Sequence, residues 1–208
     1  MIRLTGKSGL NWLLMALALL LATGPILAQE PEAGTPTAVV MRLESALLES
    51  MRQGEAMSFT ARQTMLEPVI AESLDFVRMG RFIFGTRWST FADTERSAFV
   101  RAFRTLSTAN YAARFKRFRG ESFRIIESDV DGQRARVRSE LTKQDGATVT
   151  FDYLLISSDQ GWRIVNIIAE GVSDLALKRT QYNSLFSRLG MSGVVEAMAE
   201  QQRQLSGD

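Results

Sequence analysis

Residues 122–169 read SFRIIESDVDGQRARVRSELTKQDGATVTFDYLLISSDQGWRIVNIIA, and this stretch decides the fold. Apolar and polar residues alternate through much of it. Val149, Phe151, Tyr153 and Leu155 fall on one side of an extended chain. Ala135, Val137 and Leu141 fall opposite Arg134, Arg136, Arg138 and Glu140, so one face of that strand is wet. Asp131-Gly132, Asp145-Gly146 and Asp159-Gln160-Gly161 divide the stretch with residues suited to tight turns. The reading is four strands, Ser122 to Ser128, Gln133 to Leu141, Ala147 to Ile156 and Trp162 to Ala169. Such short links require antiparallel neighbours, hence a meander.

The period changes from 2 to 3.6 on either side. Upstream, Val39, Val40, Leu43, Ala46, Leu47 and Met51 predict a helix over Ala38 to Gln53, ended by Gly54. A second helix should begin after Ser58 and kink or restart at Pro68. Gly80 and Gly85 bracket Arg81-Phe82-Ile83-Phe84, which reads as a short aromatic connection leading to Trp88. A long helix follows from about Asp93 to Phe118, its apolar arc too wide for a single stripe, with Gly120 as its stop. Downstream, Ser173 is placed to cap a helix carrying Leu175, Tyr182, Leu185, Phe186 and Leu189, stopped by Gly190. Ser192 is placed to cap a last helix with Val194, Val195, Met198 and Leu205. The expected fold is α+β, a single domain in which several helices pack on one face of a four-stranded antiparallel meander.

The first 28 residues read differently. Arg3 and Lys7 precede the apolar run Leu10 to Ala22; Gly24 and Pro25 follow, then Ile26-Leu27-Ala28. This is the order of a secretory signal peptide. The run is shorter than the roughly 20 residues a membrane-spanning helix needs, a retained anchor being the alternative. The expected division is a signal peptide over 1–28, a linker over 29–37 (QEPEAGTPT from Gln29) and the domain over 38–208. The expected location is the periplasm. Removing Arg3 and Lys7 leaves 23 basic against 23 acidic residues. The charge is uneven: net −5 over 29–77, +8 over 78–124 and −3 over 125–208. The basic middle could attract a phosphate, a lipid head or an acidic partner. Nucleic acid is not the expected target of an exported chain.

There is no His and no Cys. Thiol nucleophiles, disulfides, zinc ribbons, iron–sulfur clusters, Ser-His-Asp hydrolysis and His-ligated metal catalysis are therefore unavailable. No phosphate-loop or nucleophile-elbow motif occurs. Paired carboxylates remain open as a catalytic route, since such pairs meet in space rather than in sequence. The expectation is a protein that is not an enzyme, with no cofactor and no metal. Ten aromatic residues lie between Phe76 and Phe118. They serve equally well as a filled core or as the wall of an apolar cavity, and patterning alone does not separate the two.

Residues 162–174, WRIVNIIAEGVSD, resemble the "W-x-I-x-D-V-x-x-x-G-V-S" stretch of the MlaC family. Leu74-Asp75-Phe76 with Gly85 and Trp88 is similar to the family's aspartate–phenylalanine, glycine and tryptophan pattern. Thr108-Ala109-Asn110-Tyr111-Ala112, then Arg119-Gly120-Glu121, resembles its tyrosine-bearing helix and following glycine. Residues 173–182, SDLALKRTQY, look like the hopanoid-associated HpnM branch. The likeness covers roughly residues 40–205. Asn166 stands where the family often has Asp, and Ala92 where its helix usually begins with Ser or Thr. The resemblance implies a periplasmic phospholipid-binding protein of the toluene-tolerance, auxiliary-transport kind. It would hold phospholipid or hopanoid chains in a cavity between sheet and helices. Its partners would be an inner-membrane ABC-type lipid transporter and an outer-membrane lipid complex. The alternative reading is a binding or adaptor module with a solid core.

A cavity there would take its wall from one sheet face: Val149, Phe151, Tyr153 and Leu155, with Trp162, Ile164 and Ile168 from the next strand, alternating with Arg163. Phe103, Leu106, Tyr111 and Phe115 from the long helix, with Phe76 and Phe84, would oppose them. Tyr111, Tyr153 and Tyr182 would lie near the mouth, where their hydroxyls can stay hydrogen-bonded.

Overall fold

The structure, a computed structural model, describes residues 34–207. The expected signal peptide, 1–28, and the first part of the expected linker lie outside the described residues. The first helix, α1 (Pro36–Gln53), begins inside the stretch read as linker. The Thr35 hydroxyl accepts from the Ala38 amide, and Pro36 supplies a fixed φ at the first helical position. Its buried stripe, Val39, Val40, Leu43, Leu47 and Met51, is the predicted one.

Helix α2 (Phe59–Ser73) is capped by Ser58 and passes through Pro68 without interruption. Instead of a restart, the helix bears the loss of one backbone donor. Arg81 to Phe84 proves to be helical, the second half of α3 (Phe76–Phe84). Asp75 caps this helix by accepting from the Arg78 amide at 2.9 Å, and its own amide donates to the Ile164 carbonyl, also at 2.9 Å. Gly80 is there for packing rather than as a breaker. A Cβ at that position would lie 2.6 Å from Cη2 of Trp88. A 3-10 turn over Gly85–Thr90 then carries Trp88 back onto the helix.

Helix α4 (Asp93–Arg114) ends four residues before the predicted Phe118. Side chains from earlier elements take up the carbonyls at this end: the buried Arg62 guanidinium donates to Ala112 O at 3.1 Å, and Ser50 donates to Phe115 O at 2.8 Å. The apolar spacing that continued through Phe115 and Phe118 thus belongs to a helix end and the loop beyond it.

The sheet has five strands in the order β1-β2-β3-β4-β5, all antiparallel: β1 (Ser122–Asp131), β2 (Arg134–Thr142), β3 (Thr148–Ser158), β4 (Gly161–Ala169) and β5 (Val172–Ser173). The fifth is a two-residue strand, too short to show alternation. Register places Val137 opposite Tyr153 and Tyr153 opposite Ile167, so these share the face that the helices cover. The other face is wet and laced with ion pairs. Arg138 makes a forked contact with Asp152 at 2.9 and 3.1 Å, and Arg136 reaches both Glu127 and Asp129.

Ser173 caps α5 (Asp174–Ser206) as expected. Asn166 supports that cap, its Oδ1 accepting from the Ser173 hydroxyl at 3.0 Å. An asparagine therefore serves where the resembled family often has aspartate. Gly190, at φ 67° and ψ −171°, breaks α5 internally, and the chain resumes as helix with Met191, Val194 and Met198 buried. Among the described residues, no helix is long and apolar enough to cross a membrane.

Candidate functional site

A cavity of about 450 Å³ lies between the inner sheet face and helices α4 and α5, within the range of roughly 300–1,000 Å³ usual for small-molecule sites. Its sheet wall is apolar: Phe123 from β1, Val149, Phe151 and Tyr153 from β3, and Ile167 and Ala169 from β4. The rings are in mutual contact, Phe123 to Phe151 at 6.1 Å and Phe151 to Tyr153 at 6.2 Å between centroids. Leu47 of α1, Leu74 and Met79 close one side, and Phe103, Phe115, Val172 and Leu175 add further apolar surface.

The helical wall is mixed, with polar groups set beside Phe103 and Leu175. Ser107, Asn110, Tyr111 and Arg114 lie at i, i+3, i+4 and i+7 of α4, hence on one face. Asp174 and Lys178 face the cavity from the first turns of α5, and Gln201 from its last turns. Lys178 Nζ is 3.5 Å from Asp174 Oδ2 and 5.9 Å from the centroid of the Phe103 ring. Burial, together with the nearby Asp174 charge, pushes the Tyr111 phenol well above its usual range, while the Arg114 charge acts the other way. It is therefore a neutral hydroxyl at any ordinary pH.

Of the thirteen residues predicted for the wall, Phe103, Tyr111, Phe115, Val149, Phe151 and Tyr153 face this cavity. The other seven do not. Phe84 and Phe76 belong to a packed aromatic cluster: Phe84 meets Phe99 at 5.0 Å and Phe91 at 5.1 Å, and Phe76 meets Phe103 edge-on at 5.4 Å. Leu106, Leu155 and Ile164 are completely buried in the core, and Trp162 packs against it. Tyr182 is not at the mouth. It is 1% exposed and packs edge-on against Phe99 and Phe103. Tyr153 is buried as well, at the floor rather than the rim.

The error at β4 has a specific cause. Register shifts between Leu154 and Leu155, with Leu154 opposite Asn166 and Leu155 opposite Ile164. Val165 is thus the extra residue of a β-bulge, and side-chain parity flips beyond it. Ile167 and Ala169 turn inward where strict alternation points Ile168 inward. Arg163, expected in water, instead donates to the Ala71 carbonyl at 2.9 Å.

Several wall residues escaped the sequence reading. Leu47 was assigned to the buried stripe of α1, which it also serves. Phe123 could have been found from the register, since it pairs with Leu141, the neighbour of Val149. The polar row on α4 is legible in the sequence as helical spacing, i, i+3, i+4 and i+7. Among the described residues, no cluster of three or more ligating side chains is arranged to hold a metal ion.

A family described as "MlaC protein" matches residues 42–200. No curated protein matches the chain. The structure is similar to that of a phospholipid-binding protein from Ralstonia solanacearum, solved in complex with a phospholipid. The two are 21% identical and the match covers 81% of this chain and 97% of that one, with a TM-score of 0.71. At that identity the likeness is one of fold.

Proposed function

The chain belongs to the MlaC family, and from that premise we propose that it is a lipid-binding carrier whose cargo occupies the cavity between sheet and helices. The observation that carries this reading is the cavity's two-sidedness. The sheet wall is apolar, while the hydroxyl, amide and charged groups are gathered on α4 and α5 beside Phe103 and Leu175. That suits a ligand with hydrocarbon at one end and a polar head at the other. The phospholipid bound to the Ralstonia protein of the same fold supports phospholipid as the cargo class. A hopanoid would present less to the charged wall.

The compartment in this reading is the periplasm, reached through the signal peptide expected over residues 1–28. Each buried CH₂ contributes about 0.8 kcal/mol, so unassisted release of a long chain is slow. The carrier therefore works with partners that accept or supply lipid, an inner-membrane ABC-type transporter and an outer-membrane lipid complex. The test is uptake of fluorescent phospholipid by the delipidated protein from vesicles held behind a membrane that passes the protein but not vesicles. Label recovered with the protein in proportion to its concentration supports the proposal. Label no higher than that recovered without protein overturns it.

A further inference from the structure

The seam where α3 meets α5 is cationic. From Phe76 to Ala92 the chain carries Arg78, Arg81 and Arg87 and neither Asp nor Glu; from Leu175 to Val195 it carries Lys178, Arg179 and Arg188, and again neither. The fold sets the two segments side by side. Arg179 Nη1 donates to the Phe82 carbonyl at 3.0 Å, and Asn183 Nδ2 donates to that of Ile83 at 2.6 Å. Arg78 and Lys178 meet the carboxylates at the starts of the two helices, Asp75 and Asp174. Among the described residues, Arg81, Arg87, Arg179 and Arg188 form no ion pair. Aromatic rings hold two of them instead: Arg179 lies 5.2 Å from the centroid of Phe82, and Arg87 lies 5.9 Å from that of Phe186. Both guanidiniums stay at the surface with donors to spare. Apolar groups stand among these cations, Phe82 at 45% and Val77 at 43% exposed. At about 100° per residue, Val77, Arg81, Arg78 and Phe82 follow one another around the outside of α3.

We propose that this seam docks on an anionic lipid bilayer, with Arg81, Arg87 and Arg179 on head-group phosphates and Phe82 and Val77 among the heads and the first chain carbons. The inference concerns the outside of the protein and does not depend on what the cavity holds. Charge complementarity selects the occupant. The chain after residue 28 has equal numbers of acidic and basic residues, so no net charge draws it to a membrane; the attraction is local to the basic seam and orients the molecule. A guanidinium suits two phosphate oxygens at once, and an exposed ring beside it suits the layer between water and hydrocarbon. A protein partner would call for a contiguous apolar centre with charges at the rim. Here the apolar side chains stand singly between cations.

The experiment floats the purified protein with vesicles of phosphatidylcholine, alone or mixed with phosphatidylglycerol, at low and high salt. Binding should require phosphatidylglycerol and weaken as salt is raised. Arg81→Gln and Arg87→Gln should each lower the partition coefficient about fivefold. Both side chains are exposed, so the fold should persist, which circular dichroism checks. Phe82→Ser should weaken binding at both salt concentrations, since the ring's share is apolar. Arg134→Gln, an equal loss of charge on the wet face of the sheet, should leave binding unchanged. Equal binding to both kinds of vesicle, binding to neither, or unaltered binding in the Arg81→Gln, Arg87→Gln double variant overturns the proposal, as does an equal effect of Arg134→Gln. Retention on immobilised polyglutamate that the double variant loses, without binding to vesicles, assigns the seam to an acidic protein and also overturns it.

Discussion

Replacing Glu44 by Gln should stabilise the protein at alkaline pH and do much less at acid pH. Glu44 lies on α1, 3% exposed, where the helix crosses the sheet behind the cavity floor. Burial raises its pKa from 4.5 to about 7, and the Ser139 and Tyr153 hydroxyls beside it pull it back only in part. The folded protein therefore holds this proton more tightly than the unfolded chain does. The resulting contribution to stability is complete below about pH 4.5 and is lost as pH rises towards 7. The full loss is about 3 kcal/mol, from a pKa of 4.5 unfolded and about 7 folded. Glutamine keeps the shape and one acceptor but has no proton to lose. Urea unfolding of delipidated wild type and Glu44→Gln at pH 4 and pH 8 measures it. The Gln variant should gain on wild type by about 3 kcal/mol between the two pH values, or roughly 6–12 °C in Tm for a chain of this size. A difference that is the same at both pH values would refute the burial argument.

Phe151→Asp places a carboxylate on the half-buried sheet wall, and should abolish lipid retention while the circular dichroism spectrum persists. Outright unfolding would show that Phe151 is core rather than cavity lining. Ser107→Trp projects a large ring from α4 into the cavity, and should displace lipid without loss of fold. A drop in stability of about 1–3 kcal/mol on thermal unfolding, with lipid retained, would instead indicate packed surroundings. Gly80→Ala must push Trp88 aside, because the new Cβ would sit 2.6 Å from its ring. It should lower stability by about 1–3 kcal/mol in a denaturant titration, although alanine is the better helix former.

The sheet was readable because its evidence is local. Turn residues at Asp131-Gly132 and Asp145-Gly146 set the hairpins, and the arginines at 134, 136 and 138 marked the wet face. What failed was non-local. The bulge at Val165 leaves no trace in the composition of β4, yet it exchanges Ile168 for Ile167 on the cavity wall. The end of α4 is decided by Arg62 and Ser50, 50 and 65 residues upstream, which no window along α4 can contain. Gly80 and Gly85 were read as bracketing a short connection; Gly85 does end α3, but Gly80 is a flat seat for Trp88 within that helix. Separating core from cavity failed for a related reason. Phe84 and Phe151 are equally apolar in sequence, and only the neighbours brought by the fold fill the space around one and leave it open around the other.

The central claim is that this chamber holds lipid, and the most direct measurement is of what the protein carries when purified. Organic extraction of the purified protein, followed by mass spectrometry, should yield phospholipid approaching one molecule per chain, and Phe151→Asp purified in parallel should yield almost none. An extract without lipid, from a folded protein that also takes up no labelled lipid from vesicles, would contradict the account.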